Sequence, residues 1–116
     1  MNTPANCYDY PQYWDLAFRD ETEAEADFFE QAFERFALRP IKRMLEPGCG
    51  GGRLVVEMAA RGYEVAGFDI SESAVAYLRR RLEQMRLPGE AYVADMTAFS
   101  VERPYDAVFN LSLIHI

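Results

Sequence analysis

The apolar positions of this chain alternate between two periods. Apolar side chains recur at helical spacing in three stretches, which are residues 20–38, 53–61 and 71–85. Short apolar runs typical of buried strands lie between and after them, at residues 41–45, 63–68, 91–94 and 105–110. Parallel strands joined by helices form one open sheet with helices packed on it. The pattern therefore predicts an α/β fold with a doubly wound parallel sheet.

The first and third predicted helices each have an apolar face that we assign to the core. In the first helix this face consists of Phe28, Phe29, Ala32, Phe33 and Phe36. In the third helix it consists of Ala74, Val75, Leu78, Leu82 and Met85. Asp20 or Thr22 is expected to cap the first helix, and Ser71 is expected to begin the third.

A run of four glycines around Cys49, at residues 48–52, lies between the first predicted strand and the second predicted helix. Glycine adopts positive φ angles readily and has no Cβ, so the backbone of such a loop can approach a ligand closely. The helix that follows directs its unpaired N–H groups toward the loop. A glycine-rich turn without a ligand is the alternative, but four glycines cost more backbone entropy than a plain turn needs.

The spacing of the glycines distinguishes two nucleotide-binding loops. The dinucleotide fingerprint G-x-G-x-x-G requires a third glycine where this chain has Arg53. An acid, one residue and then a glycine at every second position describes residues 46–52 without a mismatch. That pattern resembles motif I of the class I S-adenosylmethionine (SAM)-dependent methyltransferases, which have a Rossmann-like fold. The resemblance implies SAM as the cofactor, with contacts at Glu46, Gly48, Cys49, Gly50 and Gly52.

Asp69 stands at the end of the second predicted strand, about 20 residues after Gly48. This is the separation expected between a phosphate-side loop and a ribose-binding acid, and a carboxylate there accepts hydrogen bonds from both ribose hydroxyls. The alternative is that Asp69 caps the next helix, a role that Ser71 fills equally well. In the family pattern the neighbouring Ile70 packs against the adenine ring.

The ends of the third and fourth predicted strands carry further candidate site residues. The resemblance implies that Asp95 hydrogen-bonds the adenine amino group and that Met96 lines the adenine pocket. The alternative for Asp95 is a helix cap ahead of Thr97. Asn110 ends the fourth strand, and the resemblance places it on the substrate side.

The chain divides into two segments followed by a six-residue tail at 111–116. Residues 1–40 form an aromatic segment and a helix that we expect to cover the core. In the family that this chain resembles, such a segment closes over the cofactor, and Tyr13 is the residue chosen for that contact. Residues 41–110 make up the SAM-binding half of a methyltransferase domain, truncated after about four strands where the family typically has seven. The other half usually completes the substrate pocket.

The resemblance implies transfer of a methyl group to an acceptor that the sequence does not identify, with a small molecule favoured. No general base is identified, and displacement at a sulfonium methyl can run largely on positioning of donor and acceptor. One alternative is a catalytically inactive SAM-binding fragment or interaction module. The other is an NAD-dependent oxidoreductase, against which Arg53 and Asp95 argue.

The charge and composition of the chain argue against several classes of partner and site. The net charge is −7 and the pI is about 4.7, which argues against a nucleic-acid partner. No apolar run approaches the length of a membrane span. Cys7 and Cys49 are the only cysteines, and no Cys/His cluster has the spacing of a metal site. We therefore expect a reducing cytoplasm and no disulfide framework.

The last six residues, 111–116, resemble the translation of a transposase-end adapter used in sequencing libraries. A chain that stops at the fourth strand would also leave apolar residues 107–109 at a bare sheet edge, which promotes self-association. We therefore expect this tail, with His115 in it, to be non-native sequence without a function. The alternative is that these residues extend the fourth strand into its loop.

Overall fold

A computed structural model describes residues 19–100 and 103–110. The elements in chain order are α1 (Arg19–Phe36), β1 (Arg43–Pro47), α2 (Arg53–Ala60), β2 (Glu64–Asp69), α3 (Glu72–Gln84), β3 (Gly89–Val93) and β4 (Ala107–Val108). Tyr13 and residues 111–116, on which two sequence predictions rest, lie outside the described residues. None of the described helices is long and apolar enough to cross a bilayer.

The four described strands form one parallel sheet in the order β3-β2-β1-β4. The chain proceeds outward from β1 to β3 and then returns to the other side of β1 for β4. This reversal places a switch point between β1 and β4, as in a doubly wound sheet, and confirms the predicted fold class. The carboxyl ends of all four strands lie along one edge, where ligands bind in such sheets.

All three described helices pack on the same face of the sheet. Met44, Val65 and Ala91 point to that face and join one core cluster with residues of α1, α2 and α3. Because successive strand residues alternate between faces, Leu45 and Phe68 point to the other face. There they form a second buried cluster, together with Ala66, Tyr92, Ala94 and Tyr105.

The predicted core face of α1 is wrong in part. Phe29 is buried and Phe33 partly buried, but 64% of Phe28 and 78% of Phe36 are exposed. Thr22, Ala26 and Phe29 form the stripe that contacts the rest of the protein, because these positions repeat every three to four residues. Phenylalanines outside that stripe therefore face away from the core.

The helix ends also test the sequence predictions. α1 already includes Arg19, so Asp20 and Thr22 lie inside its first turn and neither is its cap. Ser71 does cap α3, since its Oγ accepts a hydrogen bond from the N–H of Ala74 at 3.2 Å. Met85 follows the last turn of α3 and is 48% exposed, which corrects its assignment to the buried face.

β4 is shorter than the predicted strand at 105–110. Only Ala107 and Val108 pair with β1, opposite Met44 and Leu45, because the chain runs beside β1 over these two residues only. Val108 is 63% exposed at this outer edge of the sheet. Self-association through the edge stays a prediction, which sedimentation at increasing protein concentration would test.

Asp106 attaches β4 to the start of β1. Its Oδ2 accepts hydrogen bonds from the backbone N–H groups of Lys42 and Arg43, both at 2.9 Å. Its own N–H donates to the carbonyl of Arg43 at 2.8 Å, and the Arg39 guanidinium lies 3.2 Å from Oδ1. The two backbone hydrogen bonds, and secondarily the arginine charges, hold the pKa of Asp106 below its usual value.

The contact of Asp106 with the start of β1 should make the stability of the protein depend on pH. A carboxyl whose pKa is lowered by folding stabilises the protein above its unfolded pKa, and the contribution disappears as pH falls through the folded pKa. We therefore expect Asp106→Asn to reduce the free energy of unfolding at pH 7, and the difference from wild type to shrink below about pH 4. Urea unfolding at pH 7 and pH 3 measures it. Glu83→Gln, at an exposed position of α3, is the control, and a difference independent of pH would contradict the assignment.

Candidate cofactor site

The glycine loop joins β1 to α2 and is held against β2. The N–H of Cys49 donates to the carbonyl of Phe68 at 2.9 Å, and the N–H of Gly52 donates to the carbonyl of Cys49 at 3.0 Å. Three loop residues have positive φ, with values of 62° at Gly48, 59° at Gly50 and 77° at Gly52. Residues with a Cβ are strained in this region. Glycine at every second position is therefore a requirement of the loop's own conformation.

Two of these glycines meet different surroundings. Gly52 is the N-terminal cap residue of α2, and a Cβ there would lie 2.4 Å from Cδ1 of the fully buried Leu78 in α3. A Cβ on Gly50 would have no atom within 4 Å. Gly52 thus permits close packing of α2 against α3, whereas Gly50 borders open space at the carboxyl edge of the sheet.

Asp69, at the end of β2, connects the glycine loop to α3. Its Oδ2 accepts a hydrogen bond from the N–H of Gly50, and its Oδ1 accepts one from the N–H of Ser71, both at 2.9 Å. Ser71 and not Asp69 caps α3. Each oxygen of an ionised carboxylate has a second lone pair, so both can still accept a hydrogen bond from a ligand. Beside it, Ile70 is 72% exposed.

Glu46 and Cys49 lie beneath this surface. Glu46, near the end of β1, is fully buried, and the Cys49 side chain is 1% exposed. Burial first, and then the negative charges of Glu46 and Asp69, raise the pKa of the Cys49 thiol. A neutral buried thiol is a poor nucleophile, so a ligand contact from Cys49 would come from its backbone.

Asp95 and Met96 follow β3 at the same edge. The N–H of Ala94 donates to the carbonyl of Asp69 at 3.1 Å, which sets this segment beside the end of β2. Asp95 Oδ1 accepts hydrogen bonds from the N–H and the hydroxyl of Thr97, at 2.9 and 2.8 Å, and they lower the pKa of Asp95. A turn follows instead of a helix, so Asp95 is not a helix cap. Met96 is 44% exposed.

The structure thus brings the predicted residues of the described segments to one edge. Asn110 is exposed there as well, directly after Phe109, whose N–H donates to the carbonyl of Leu45 at 3.0 Å. Two interactions were missed by sequence analysis, namely the bond from Gly50 to Asp69 and a buried contact of Arg53 with α1. The second had a signal, because a cation at the start of a helix is unfavourable unless a carboxylate accompanies it.

A cleft of about 520 Å³ lies elsewhere, near the amino ends of the strands, on the face of the sheet opposite the described helices. Its wall includes Arg43, whose guanidinium is 3.2 Å from Glu64, 2.6 Å from the carbonyl of Pro104 and 4.4 Å from the ring centre of Tyr105. These groups already pair with one another. The cleft is therefore a separate feature from the glycine loop, at the opposite edge of the sheet.

Comparison with known proteins identifies the family. Residues 44–116, more than half of the chain, match the profile of a family described as "Methyltransferase domain". This chain belongs to that family. The match begins in β1 and includes the glycine loop, Asp69 and Asp95.

Individual relatives agree with the family match. A Geobacillus sp. (strain WCH70) protein named as a methyltransferase is 28% identical over 103 residues, covering 87% of this chain and 42% of its own. Pavine N-methyltransferase of Thalictrum flavum subsp. glaucum is 30% identical over 104 residues, covering 84% of this chain and 29% of its own. A SAM-dependent methyltransferase structure from Clostridium acetobutylicum shares the fold, with a TM-score of 0.70 and 19% identity over 89% of this chain and 43% of that one. The chain spans less than half the length of these relatives.

Proposed function

We propose that this chain is the cofactor-binding part of a SAM-dependent methyltransferase. The observation that carries the proposal is the Asp69 carboxylate, which is held by the backbone of both the glycine loop and α3 at the carboxyl edge of the sheet. A carboxylate fixed in this way can accept hydrogen bonds from the two ribose hydroxyls without changing its position. The open space at Gly50 then leaves room for the rest of the cofactor beside the loop.

The other site residues take the remaining parts of the cofactor. Asp95 accepts a hydrogen bond from the adenine amino group, while the exposed side chains of Ile70 and Met96 contact the faces of the ring. The backbone of the loop, from Gly48 to Gly52 and including Cys49, lies along the amino-acid part, and Glu46 supports the loop from below. SAM supplies an electrophilic methyl group on its sulfonium. The contribution of this chain is to bind and orient that group.

Tyr13 is proposed to close over the cofactor. Thr22, in the first turn of α1, is hydrogen-bonded to Arg53 in the first turn of α2. The N-terminal end of α1 therefore lies close to the glycine loop. Tyr13 precedes Arg19 by six residues in the sequence, and we expect Tyr13→Ala to weaken SAM binding because it removes the proposed contact.

The acceptor is proposed to be a small molecule, approached from the side of Asn110. Relatives methylate various small molecules and RNA. The net charge of −7 favours the first class, because RNA binding depends on neutralising phosphates with basic side chains. A catalytically inactive SAM-binding module is the second candidate, because the glycine loop and the Asp69 carboxylate account for binding and not for methyl transfer.

Binding selectivity tests the proposal. We expect the chain to bind SAM and S-adenosylhomocysteine in calorimetry, and to bind NAD more weakly, because the loop has Arg53 where a dinucleotide site needs glycine. NAD is the matched control, since it shares the adenosine. Binding of NAD without binding of SAM would overturn the assignment. Release of labelled methyl from SAM in the presence of acceptors then separates an enzyme from a binding module.

A further inference from the structure

Arg53, the residue that breaks the dinucleotide fingerprint, has a specific place in the fold. It is the first residue of α2 and directly follows the glycine loop. Its side chain is only 6% exposed and extends toward α1. There its Nη1 donates to Thr22 Oγ1 at 2.9 Å, and its Nη2 lies 3.2 Å from Glu25 Oε2. Both partners belong to α1, which is 28 to 31 residues earlier in the chain.

A buried arginine at the start of a helix is electrostatically unfavourable unless other groups compensate it. A cation in the first turn of a helix is disfavoured by the helix dipole, and burying a guanidinium also removes its hydration. The Glu25 carboxylate, 17% exposed, offsets both costs, and the hydroxyl of Thr22 satisfies a further N–H group. An apolar residue at position 53 would avoid these costs. The contact with α1 therefore has a second effect besides stabilising the protein, which is to fix where the first turn of α2 lies.

The loop is attached to this first turn by backbone hydrogen bonds. The N–H of Val56 donates to the carbonyl of Gly52 at 2.9 Å, and the N–H of Gly52 donates to the carbonyl of Cys49 at 3.0 Å. A displacement of Arg53 would therefore move Gly52, and through it the segment whose Gly50 N–H contacts Asp69.

We infer that Arg53 is a positioning residue for the cofactor site. By tying the first turn of α2 to Thr22 and Glu25, it fixes the loop conformation in which Gly50 and Asp69 meet. This role rests on the proposed function as far as SAM is concerned. The loop conformation itself can be measured without any ligand.

Arg61 provides a matched control. It too links α2 to α1, but from the C-terminal end of α2, about 12 Å away along the helix axis. Its guanidinium donates to Glu57 and to Asp27, each at 2.9 Å. Arg61→Met therefore loosens the same pair of helices without touching the turn that carries the loop.

Amide hydrogen exchange of the ligand-free chain is the first test. In Arg53→Met we expect exchange at Gly52 and Val56 to accelerate at least about tenfold, with less change at Gly62 and Tyr63 behind the C-terminal end of α2. In Arg61→Met we expect the opposite distribution. Equal acceleration at both ends in both variants would overturn the inference, because it would indicate general loosening of α1.

SAM affinity is the second test. We expect Arg53→Met to raise the dissociation constant about tenfold or more, and Arg61→Met to leave it within about twofold of wild type. Arg53→Lys keeps the charge near Glu25 and should bind more tightly than Arg53→Met. Equal affinities of Arg53→Met and wild type would overturn the role of Arg53. A wild-type chain that binds no SAM would overturn the proposed function instead, and hydrogen exchange would still decide the loop conformation.

Discussion

Replacing Asp69 with alanine should weaken SAM binding by about a hundredfold or more. The proposed complex has two charge-assisted hydrogen bonds from Asp69 to the ribose, and such bonds contribute about 1.5–3 kcal/mol each. At about 1.4 kcal/mol for a factor of ten, the loss of two such bonds corresponds to about two to four orders of magnitude in the dissociation constant. The substitution also releases the N–H groups of Gly50 and Ser71, which loosens the loop. Calorimetric titration with SAM measures the effect.

Two variants serve as references for that result. Asp95→Ala removes one proposed hydrogen bond to an amino group, so its effect should be nearer tenfold. Ser71→Ala removes the side-chain cap of α3 but keeps the backbone N–H that donates to Asp69. It should therefore lower the melting temperature and leave the affinity for SAM nearly unchanged. Dissociation constants that are the same for Asp69→Ala and Asp95→Ala would contradict the ribose assignment.

Gly52→Ala should destabilise the protein more than Gly50→Ala does. A Cβ at φ 77° costs about 1–2 kcal/mol, and crowding a well-packed core adds about 1–3 kcal/mol. The crowding follows from the 2.4 Å separation between that Cβ and Leu78 Cδ1. Gly50→Ala has a similar φ but open space around it, so it should cost only the backbone part. Urea unfolding of the two variants gives the comparison.

A double-mutant cycle separates the two causes. Leu78→Ala alone should cost about 2–5 kcal/mol through the cavity it leaves. In the Gly52→Ala, Leu78→Ala double variant the new methyl group enters that cavity, so the combined loss should be smaller than the sum of the single losses. Strict additivity, or equal losses for Gly50→Ala and Gly52→Ala, would contradict the packing explanation.

Much of the fold and part of the site follow from local sequence rules. The order of the strands and helices and the position of the loop were predictable, because apolar runs and alternate glycines each reflect a local requirement of the backbone. The faces of α1 were not, because Phe28 and Phe29 have the same hydrophobicity and only the neighbouring elements determine which of them is buried.

Contacts between distant segments explain the remaining differences. The sequence predicts that Thr22 caps a helix, yet Thr22 is buried inside α1. There it accepts a hydrogen bond from Arg53, which is 31 residues away in the chain. The length of β4 depends likewise on how far the chain stays beside β1, which local propensity does not encode. Sequence periodicity predicts the helices and strands, whereas contacts between distant segments determine which of their residues are buried or paired.

The conformation of the loop bears on how active and inactive members of the family can be told apart. Positive φ is found at Gly48, Gly50 and Gly52 but not at Gly51, so the backbone needs glycine at three of these positions whether or not a ligand binds. Selection for folding alone would preserve that spacing after methyl transfer had been lost. The Asp69 carboxylate has no such protection, because an asparagine could still accept a hydrogen bond from a loop N–H. A survey for relatives that have lost the cofactor should therefore examine the equivalent of Asp69 before the glycines.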